Sequence, residues 1–135
     1  MREILFKAKR TDTDAWIEGN YLNDEEIAYI SGFIYNDTIF GFEKILFKCQ
    51  VIPETVSQFT GLYDKNGVRI FENDIVYYDG SCYKVVFENR NGTGYFGIVV
   101  GENETWGFGN STPAYMMVVV GNIYDNPDLL EVSKE

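Results

Sequence analysis

Apolar and polar residues alternate in short runs along the chain, and clusters of turn-forming residues separate the runs. Residues 3–9 place an apolar side chain at every second position, and residues 16–22 resume this period after the polar cluster at residues 11–14. A period of two is typical of strands with one buried face. We therefore predict an antiparallel hairpin at the start of the chain, with Gly19 at a bulge or a close backbone approach.

The next stretch is rich in aromatic and β-branched residues. Residues 27–35 predict a strand, because such side chains suit a pleated surface better than a helix. Asn36 and Asp37 predict the turn that follows this strand. Residues 38–50 then predict another strand, which bends at Gly41.

Turn signatures become more frequent in the second half of the chain. Residues 53–56 begin with proline and predict a helical turn that joins the halves. Residues 64–67 and 89–92 predict tight turns. Residues 101–113, rich in Gly, Asn, Ser and Thr, predict a long surface loop. Residues 115–120 are a near-continuous apolar run and predict a central strand.

Composition agrees with a mostly β fold. The chain has 135 residues, enough for one ordinary core, and its ten Tyr and ten Phe favour half-buried pleated surfaces. Short strands with frequent turns are typical of small closed barrels. We predict an N-terminal antiparallel β region over residues 1–57, packed on a small β-barrel and a C-terminal tail over residues 58–135.

The chain is acidic, with a net charge of −10 from 21 acidic and 11 basic residues. Nucleic-acid binding is therefore disfavoured, because its affinity comes mainly from Lys and Arg. Basic residues cluster only at Arg2, Lys7, Lys9 and Arg10. On a strand, Lys7 and Lys9 would share one face, as a solvated edge or, together with Arg10, as phosphate contacts.

Several kinds of catalytic chemistry are missing. The chain has no histidine, which excludes imidazole zinc sites and histidine-based acid–base catalysis. Cys49 and Cys82 are isolated in strand-like contexts, and we predict two buried thiols rather than a disulfide or a metal pair. We expect no enzymatic activity, metal or cofactor. The N-terminus has no long apolar run, so we expect a cytoplasmic protein without a membrane span.

Three acidic or glycine-rich motifs could suggest a ligand but are more simply explained as turns. Residues 92–97 fit the dinucleotide pattern Gly-x-Gly-x-x-Gly, yet the sequence that follows predicts a strand instead of the required helix. Residues 64–67 resemble the start of a calcium loop without its remaining ligands. Glu72 and Asp74 would share one strand face and could act as an acid–base pair, although solvated turn carboxylates are commoner.

Three large rings lie in or beside the predicted loop at residues 101–113. Trp106, Phe108 and Tyr115 could form an exposed platform for a peptide, a base or a partner protein. Large rings more often belong to a core, but their position in a loop makes them the leading local candidate for an interaction surface.

Five motifs occur in a characteristic order at residues 2–7, 16–19, 53–56, 58–76 and 121–127. Together they resemble the YopX-like proteins of bacteriophages and prophages. The resemblance implies a β-rich protein whose C-terminal half is similar to an SH3-type barrel, with no assigned molecular function and no catalytic residue. Asn73 stands where the family usually has glycine, and asparagine tolerates the left-handed region better than most residues. Residues 24–49 and 102–114 match less well, so a partner-specific surface could lie there.

These features predict a non-enzymatic accessory protein that binds an unknown phage or host protein, or itself as a homo-oligomer. One alternative is a nucleic-acid-binding module that uses the basic N-terminal strand and exposed aromatic rings. Another is an acidic surface that mimics nucleic acid and occupies a basic protein.

Overall fold

The chain divides into two compact units, residues 1–58 and residues 59–135. A computed structural model describes residues 4–90, 92–102 and 104–132. Arg2 of the basic cluster, Asn91 of a predicted turn and the end of the polar tail lie outside the described residues.

Strands make up most of the described residues, which confirms the prediction of a mostly β fold. The strands are β1 (Phe6–Lys9), β2 (Trp16–Asp24), β3 (Ile27–Thr38), β4 (Gly41–Val51), β5 (Ser57–Tyr63), β6 (Arg69–Phe71), β7 (Asp74–Tyr78), β8 (Ser81–Arg90), β9 (Thr93–Gly101), β10 (Glu104–Gly107) and β11 (Val118–Asn122). The helical segments are two 3₁₀ turns, Pro53–Thr55 and Ala114–Met116, and the short helix α1 (Asp128–Val132). The predicted helical turn after Pro53 is therefore confirmed. The SH3-like character of the second unit stays a prediction.

The first unit begins with the predicted hairpin. Strands β1 and β2 pair antiparallel, with Phe6 opposite Gly19 and Lys9 opposite Trp16. A Cβ atom at Gly19 would collide with the carbonyl oxygen of Ser31, which confirms the predicted close approach. Strand β1 also pairs with the first two residues of β5.

The base of the β3–β4 hairpin completes this unit. Strand β2 pairs only with the first part of β3, and the last of these pairs joins Asn20 and Ser31. Directly after β4, the N–H of Ile52 donates to the carbonyl oxygen of Lys9 in β1 at 2.8 Å. The paired strands enclose a small core of buried side chains: Ala8, Ala28, Ile30 and Val51.

The turn between β3 and β4 is not where the sequence predicts it. Asn36 and Asp37 lie inside the strand ladder, and the chain turns at Ile39 and Phe40. Gly41 adopts a φ of 122°, a value that L side chains rarely reach. The prediction was wrong because the polar pair suits a turn locally, whereas the pairing of two long strands places the reversal three residues later.

The second unit contains a five-stranded antiparallel sheet in the order β10-β9-β8-β7-β11. Its core is formed by side chains from the sheet, from β6, and from the second 3₁₀ turn and the residue after it: Ile70, Val76, Val85, Ile98, Ala114 and Met117. A smaller aromatic contact joins β5 and β6, where the rings of Phe59 and Phe71 lie 5.5 Å apart.

Two predictions for the end of this unit are wrong. The expected loop at residues 101–113 contains β10, which pairs with β9. The expected central strand at residues 115–120 begins as a 3₁₀ turn, and β11 lies at one end of the sheet order. Met117 is buried whereas Tyr115 and Met116 are exposed, so the apolar run is not buried on both faces. An apolar run alone cannot distinguish these environments.

Candidate functional site

The basic residues of β1 contact side chains of their own hairpin. The Nζ atoms of Lys7 and Lys9 lie 4.9 and 5.9 Å from the ring centroid of Trp16, so the two lysines share a face as predicted. The guanidinium of Arg10 donates two hydrogen bonds to Asp12, at 2.9 and 2.8 Å. These hydrogen bonds lower the pKa of Asp12 and raise the pKa of Arg10. The candidate phosphate contacts are thus engaged within the unit, and phosphate binding stays a prediction.

The three candidate aromatic residues do not occupy equivalent environments. Tyr115 is 70% exposed, whereas Phe108 is half-buried against the core of the second unit. Phe108 and Tyr115 line a shallow pocket of about 310 Å³ together with Tyr63 and Pro113. Trp106 is not among the lining residues of that pocket. Its indole Nε1 donates to the Oε1 atom of Glu104 at 2.8 Å.

Asp64 is a buried acceptor for backbone groups. Its Oδ1 atom accepts from the N–H groups of Asn66 and Val68 at 2.8 and 2.9 Å. Its Oδ2 atom accepts from the N–H of Val119 at 2.9 Å. Burial opposes ionisation, but the three N–H donors outweigh it and lower the pKa of Asp64. This carboxylate stabilises its turn and attaches β11 to it, as expected for a turn rather than a calcium loop.

Glu72 and Asp74, the candidate acid–base pair, lie at the turn between β6 and β7. Asp74 is buried, contrary to the expectation of a solvated turn carboxylate, and its Oδ2 atom accepts from the N–H of Phe71 at 2.8 Å. Between the two acids, Asn73 has a φ of 72°, which confirms that asparagine fills a left-handed position here. The pairing of Asp74 with a backbone donor suits a turn better than acid–base chemistry.

Two motifs that are far apart in the sequence meet in this unit. The N–H of Ile123 donates to the carbonyl oxygen of Asn73 at 3.0 Å, and the Nδ2 atom of Asn73 donates to the hydroxyl of Tyr124 at 3.2 Å. The Oδ1 atom of Asn122 accepts from the N–H groups of Tyr124 and Asp125 at 3.0 and 2.9 Å. We define the polar network as six residues: Asp64, Asn73, Asp74, Asn122, Tyr124 and Asp125. Their hydrogen bonds hold turns in place.

The remaining ligand-like patterns carry no site. The glycine pattern at residues 92–97 lies at the start of β9, so the hairpin prediction is confirmed there. Cys49 and Cys82 are half-buried, whereas the sequence predicted two buried thiols.

Among the described residues, no group of three Cys, Asp or Glu side chains could hold a metal ion. No helix in the described part of the chain is long and apolar enough to cross a membrane.

The most unusual surface lies within residues 24–49, where the sequence allowed a partner-specific surface without indicating which residues form it. The β3–β4 hairpin continues beyond the last pair with β2, and we call this outer part, residues 32–49, the arm. Its tip consists of Ile39 and Phe40, which are 93% and 94% exposed. The Oγ1 atom of Thr38 accepts from the N–H of Phe40 at 3.2 Å and donates to the carbonyl oxygen of Gly41 at 3.0 Å. Thr38 and Gly41 therefore shape the turn, and the apolar tip side chains have no packing role in it.

Both faces of the arm carry exposed apolar side chains. On one face, Phe33 lies opposite Leu46 and Tyr35 lies opposite Lys44. The Nζ atom of Lys44 lies 4.1 Å from the ring centroid of Phe33, a cation–π contact that leaves the ring half exposed. On the other face, exposed Ile34 lies opposite exposed Ile45.

The arm also has an open strand edge. Strand β4 is the end strand of its sheet and pairs with β3 on one side. On its other side, the base is covered where Arg10 bridges Val51 and the N–H of Thr11 donates to the carbonyl oxygen of Gln50. Residues 41–49 have no partner strand on that side among the described residues. An open edge flanked by exposed apolar side chains can accept another strand.

One sequence signal could have revealed this surface. Ile39 and Phe40 are followed by a glycine that suits a turn, and an apolar pair at a turn contradicts ordinary turn chemistry. Such local contradictions often mark functional positions. The arm also falls within residues 24–49, which match the expected motif pattern less well.

Comparisons with known proteins agree with this fold. The crystal structure of protein EF1440 from Enterococcus faecalis is similar, with a TM-score of 0.61 and 25% sequence identity over 96% of this chain and 99% of that one. No curated protein sequence matches the chain. The family model described as YopX protein matches residues 5–131. This match spans nearly the whole chain, which therefore belongs to the YopX protein family.

Proposed function

We propose that this protein is a non-enzymatic phage or prophage accessory protein that binds another protein through the arm. The observation that carries the proposal is the nearly complete exposure of Ile39 and Phe40 at the tip. Large apolar side chains that project into water together cost free energy unless they have a partner, and contiguous apolar patches usually mark interaction sites.

Two buried acids of the second unit have structural roles, which favours binding over chemistry. Asp74 accepts a backbone hydrogen bond in a buried turn, and Asp64 accepts three. A catalytic acid or base must reach a substrate proton. Neither carboxylate is placed for that task.

Nucleic-acid binding has weaker support. Lys7 and Lys9 lie against Trp16, and Arg10 is hydrogen-bonded to Asp12. A phosphate would have to displace these contacts and approach a chain with a net charge of −10.

The test compares two pairs of exposed apolar residues. Tagged protein is expressed in bacteria that carry the phage or prophage, and co-purifying proteins are quantified by mass spectrometry. We expect Ile39→Ser with Phe40→Ser to abolish capture of a specific partner. The matched control is Tyr115→Ser with Met116→Ser, which removes an exposed apolar pair from the second unit.

The pattern of loss separates the two candidate surfaces. If the control loses the partner and the tip variant keeps it, the pocket beside Tyr115 is the binding site and the proposal for the arm is wrong. If neither variant loses a partner, the protein does not act through either apolar surface.

A further inference from the structure

We infer that the arm binds a second copy of this chain, and that the two copies pair antiparallel along their β4 edges about a two-fold axis at Ile45. This inference rests on the proposed function, since it names the partner of the same surface. Strands β3 and β4 of both copies would then form one four-stranded antiparallel sheet across the dimer.

The position of the axis follows from the open edge. No strand in the described part of the chain pairs with residues 41–49 on their outer side, and Ile45 is the midpoint of this segment. An antiparallel pair centred there uses the whole open edge of both copies. It also brings the tip of each arm next to the base of the other, where Ile39 and Phe40 can be covered.

Charge selects this register over its neighbours. With the axis at Ile45, Lys44 faces Leu46 and Glu43 faces Phe47. With the axis at Leu46, Lys44 would face Lys48, and with the axis at Lys44, that lysine would face itself. Like charges directly opposite each other destabilise a strand pair. Of these three registers, the one at Ile45 avoids lysine facing lysine.

Net charge also permits two copies to meet at this surface. The β3–β4 hairpin carries two acids, Asp37 and Glu43, and two bases, Lys44 and Lys48. The hairpin is therefore neutral, although the chain has a net charge of −10. Contact between hairpins avoids the like-charge repulsion that other parts of two such acidic chains would experience.

The edge that would meet the second copy carries exposed apolar side chains. Four large apolar residues at the tip or on β4 are between 39% and 94% exposed: Ile39, Phe40, Ile45 and Leu46. Their burial against the second copy would stabilise the dimer.

Cross-linking tests the position of the axis. In a background of Cys49→Ala and Cys82→Ala, we expect Ile45→Cys to form a disulfide-linked dimer under mild oxidation, because only this residue faces itself. Lys44→Cys and Leu46→Cys are the matched controls, and each should cross-link at least tenfold more slowly. Equal cross-linking at all three positions would overturn the inferred register.

Sedimentation velocity over a wide concentration range tests the dimer itself. We expect the wild-type chain to dimerise and Ile45→Lys to weaken association at least tenfold. Val120→Lys, which places the same charge at an exposed apolar position of β11, should leave association unchanged. A wild-type chain that is monomeric at every concentration overturns the inference. If the tip variant nevertheless loses a different captured protein, the proposed function stands and only its partner changes.

Discussion

The polar network of the second unit and the arm of the first unit both depart from the usual placement of side chains. The network buries polar groups, and the arm exposes apolar ones. In the network, charged and amide side chains such as Asp64 and Asn122 are buried and bonded to backbone groups. In the arm, large apolar side chains such as Phe40 project into water. A buried polar group with all its partners serves the fold, whereas a contiguous exposed apolar patch is typical of an interaction surface.

This difference predicts that substitutions in the network change folding and that substitutions in the arm change association. Urea unfolding monitored by Trp106 fluorescence in a Trp16→Phe background follows the second unit by itself, because Trp106 is then the remaining tryptophan.

The largest expected effect is at Asp64. Asp64→Ala should lower the free energy of unfolding by about 3 kcal/mol or more, because three backbone N–H donors lose a buried acceptor. Urea unfolding measures the change. Glu102→Ala, which removes an exposed acid from the same unit, should change stability by less than about 0.5 kcal/mol. Equal losses in the two variants would show that Asp64 acts only through its charge.

The second prediction concerns pH. Because the folded-state pKa of Asp64 is lowered, its ionic contribution is fully present above the unfolded-state pKa of about 3.9 and is lost as pH falls through the folded value. The stability difference between wild type and Asp64→Asn should therefore shrink as the pH falls below about 4. Urea midpoints measured at a series of acidic pH values check this. A difference that stays constant with pH would contradict the assigned ionisation.

A smaller effect is expected at Asn73. Asn73→Ala should cost about 1–2 kcal/mol, since alanine is strained at a φ of 72°. Asn73→Gly relieves the backbone but loses the hydrogen bond to Tyr124, so it should stay within about 0.5 kcal/mol of wild type. Thermal and urea unfolding of the two variants give the comparison. Alanine and glycine variants of equal stability would mean that the backbone angle is not what asparagine supplies.

The smallest effect on stability is expected at the tip of the arm. Ile39→Ser with Phe40→Ser should change the free energy of unfolding by less than about 0.5 kcal/mol, because these side chains bury almost no surface within the chain. Circular dichroism during urea unfolding measures this at a concentration where the chain is monomeric. A loss of several kcal/mol would mean that the tip packs inside the protein, and the contrast with the polar network would fail.

Much of the strand arrangement could be predicted from local patterns. The N-terminal hairpin, the helical turn after Pro53 and the turn at residues 64–67 follow from alternation, proline and glycine, all of which act over a few residues. The turn at Asn36 and Asp37 was wrong, because strand pairing over eleven positions outweighed local turn preference. The expected central strand was wrong because an apolar run does not reveal where its strand lies in the sheet order.

The candidate site was harder to predict than the fold. The expected aromatic platform around Trp106 separates into a shallow pocket beside Tyr115 and a ring on β10 that is hydrogen-bonded to Glu104. The residues of the arm were not singled out within residues 24–49, because Phe33, Ile34 and Leu46 look like core residues in sequence. Their exposure depends on where β2 stops pairing with β3, and no local pattern encodes that position.

The sequence by itself determined that the chain is acidic, mostly β and a member of the YopX protein family, because charge, periodicity and motif order are properties of the linear chain that do not depend on contacts between distant segments. Tertiary structure alone decided which polar residues are buried and which apolar residues are exposed. Burial depends on contacts between segments that are distant in sequence, as between Asp64 and Val119. The same dependence left the β3–β4 hairpin exposed beyond its last pair with β2.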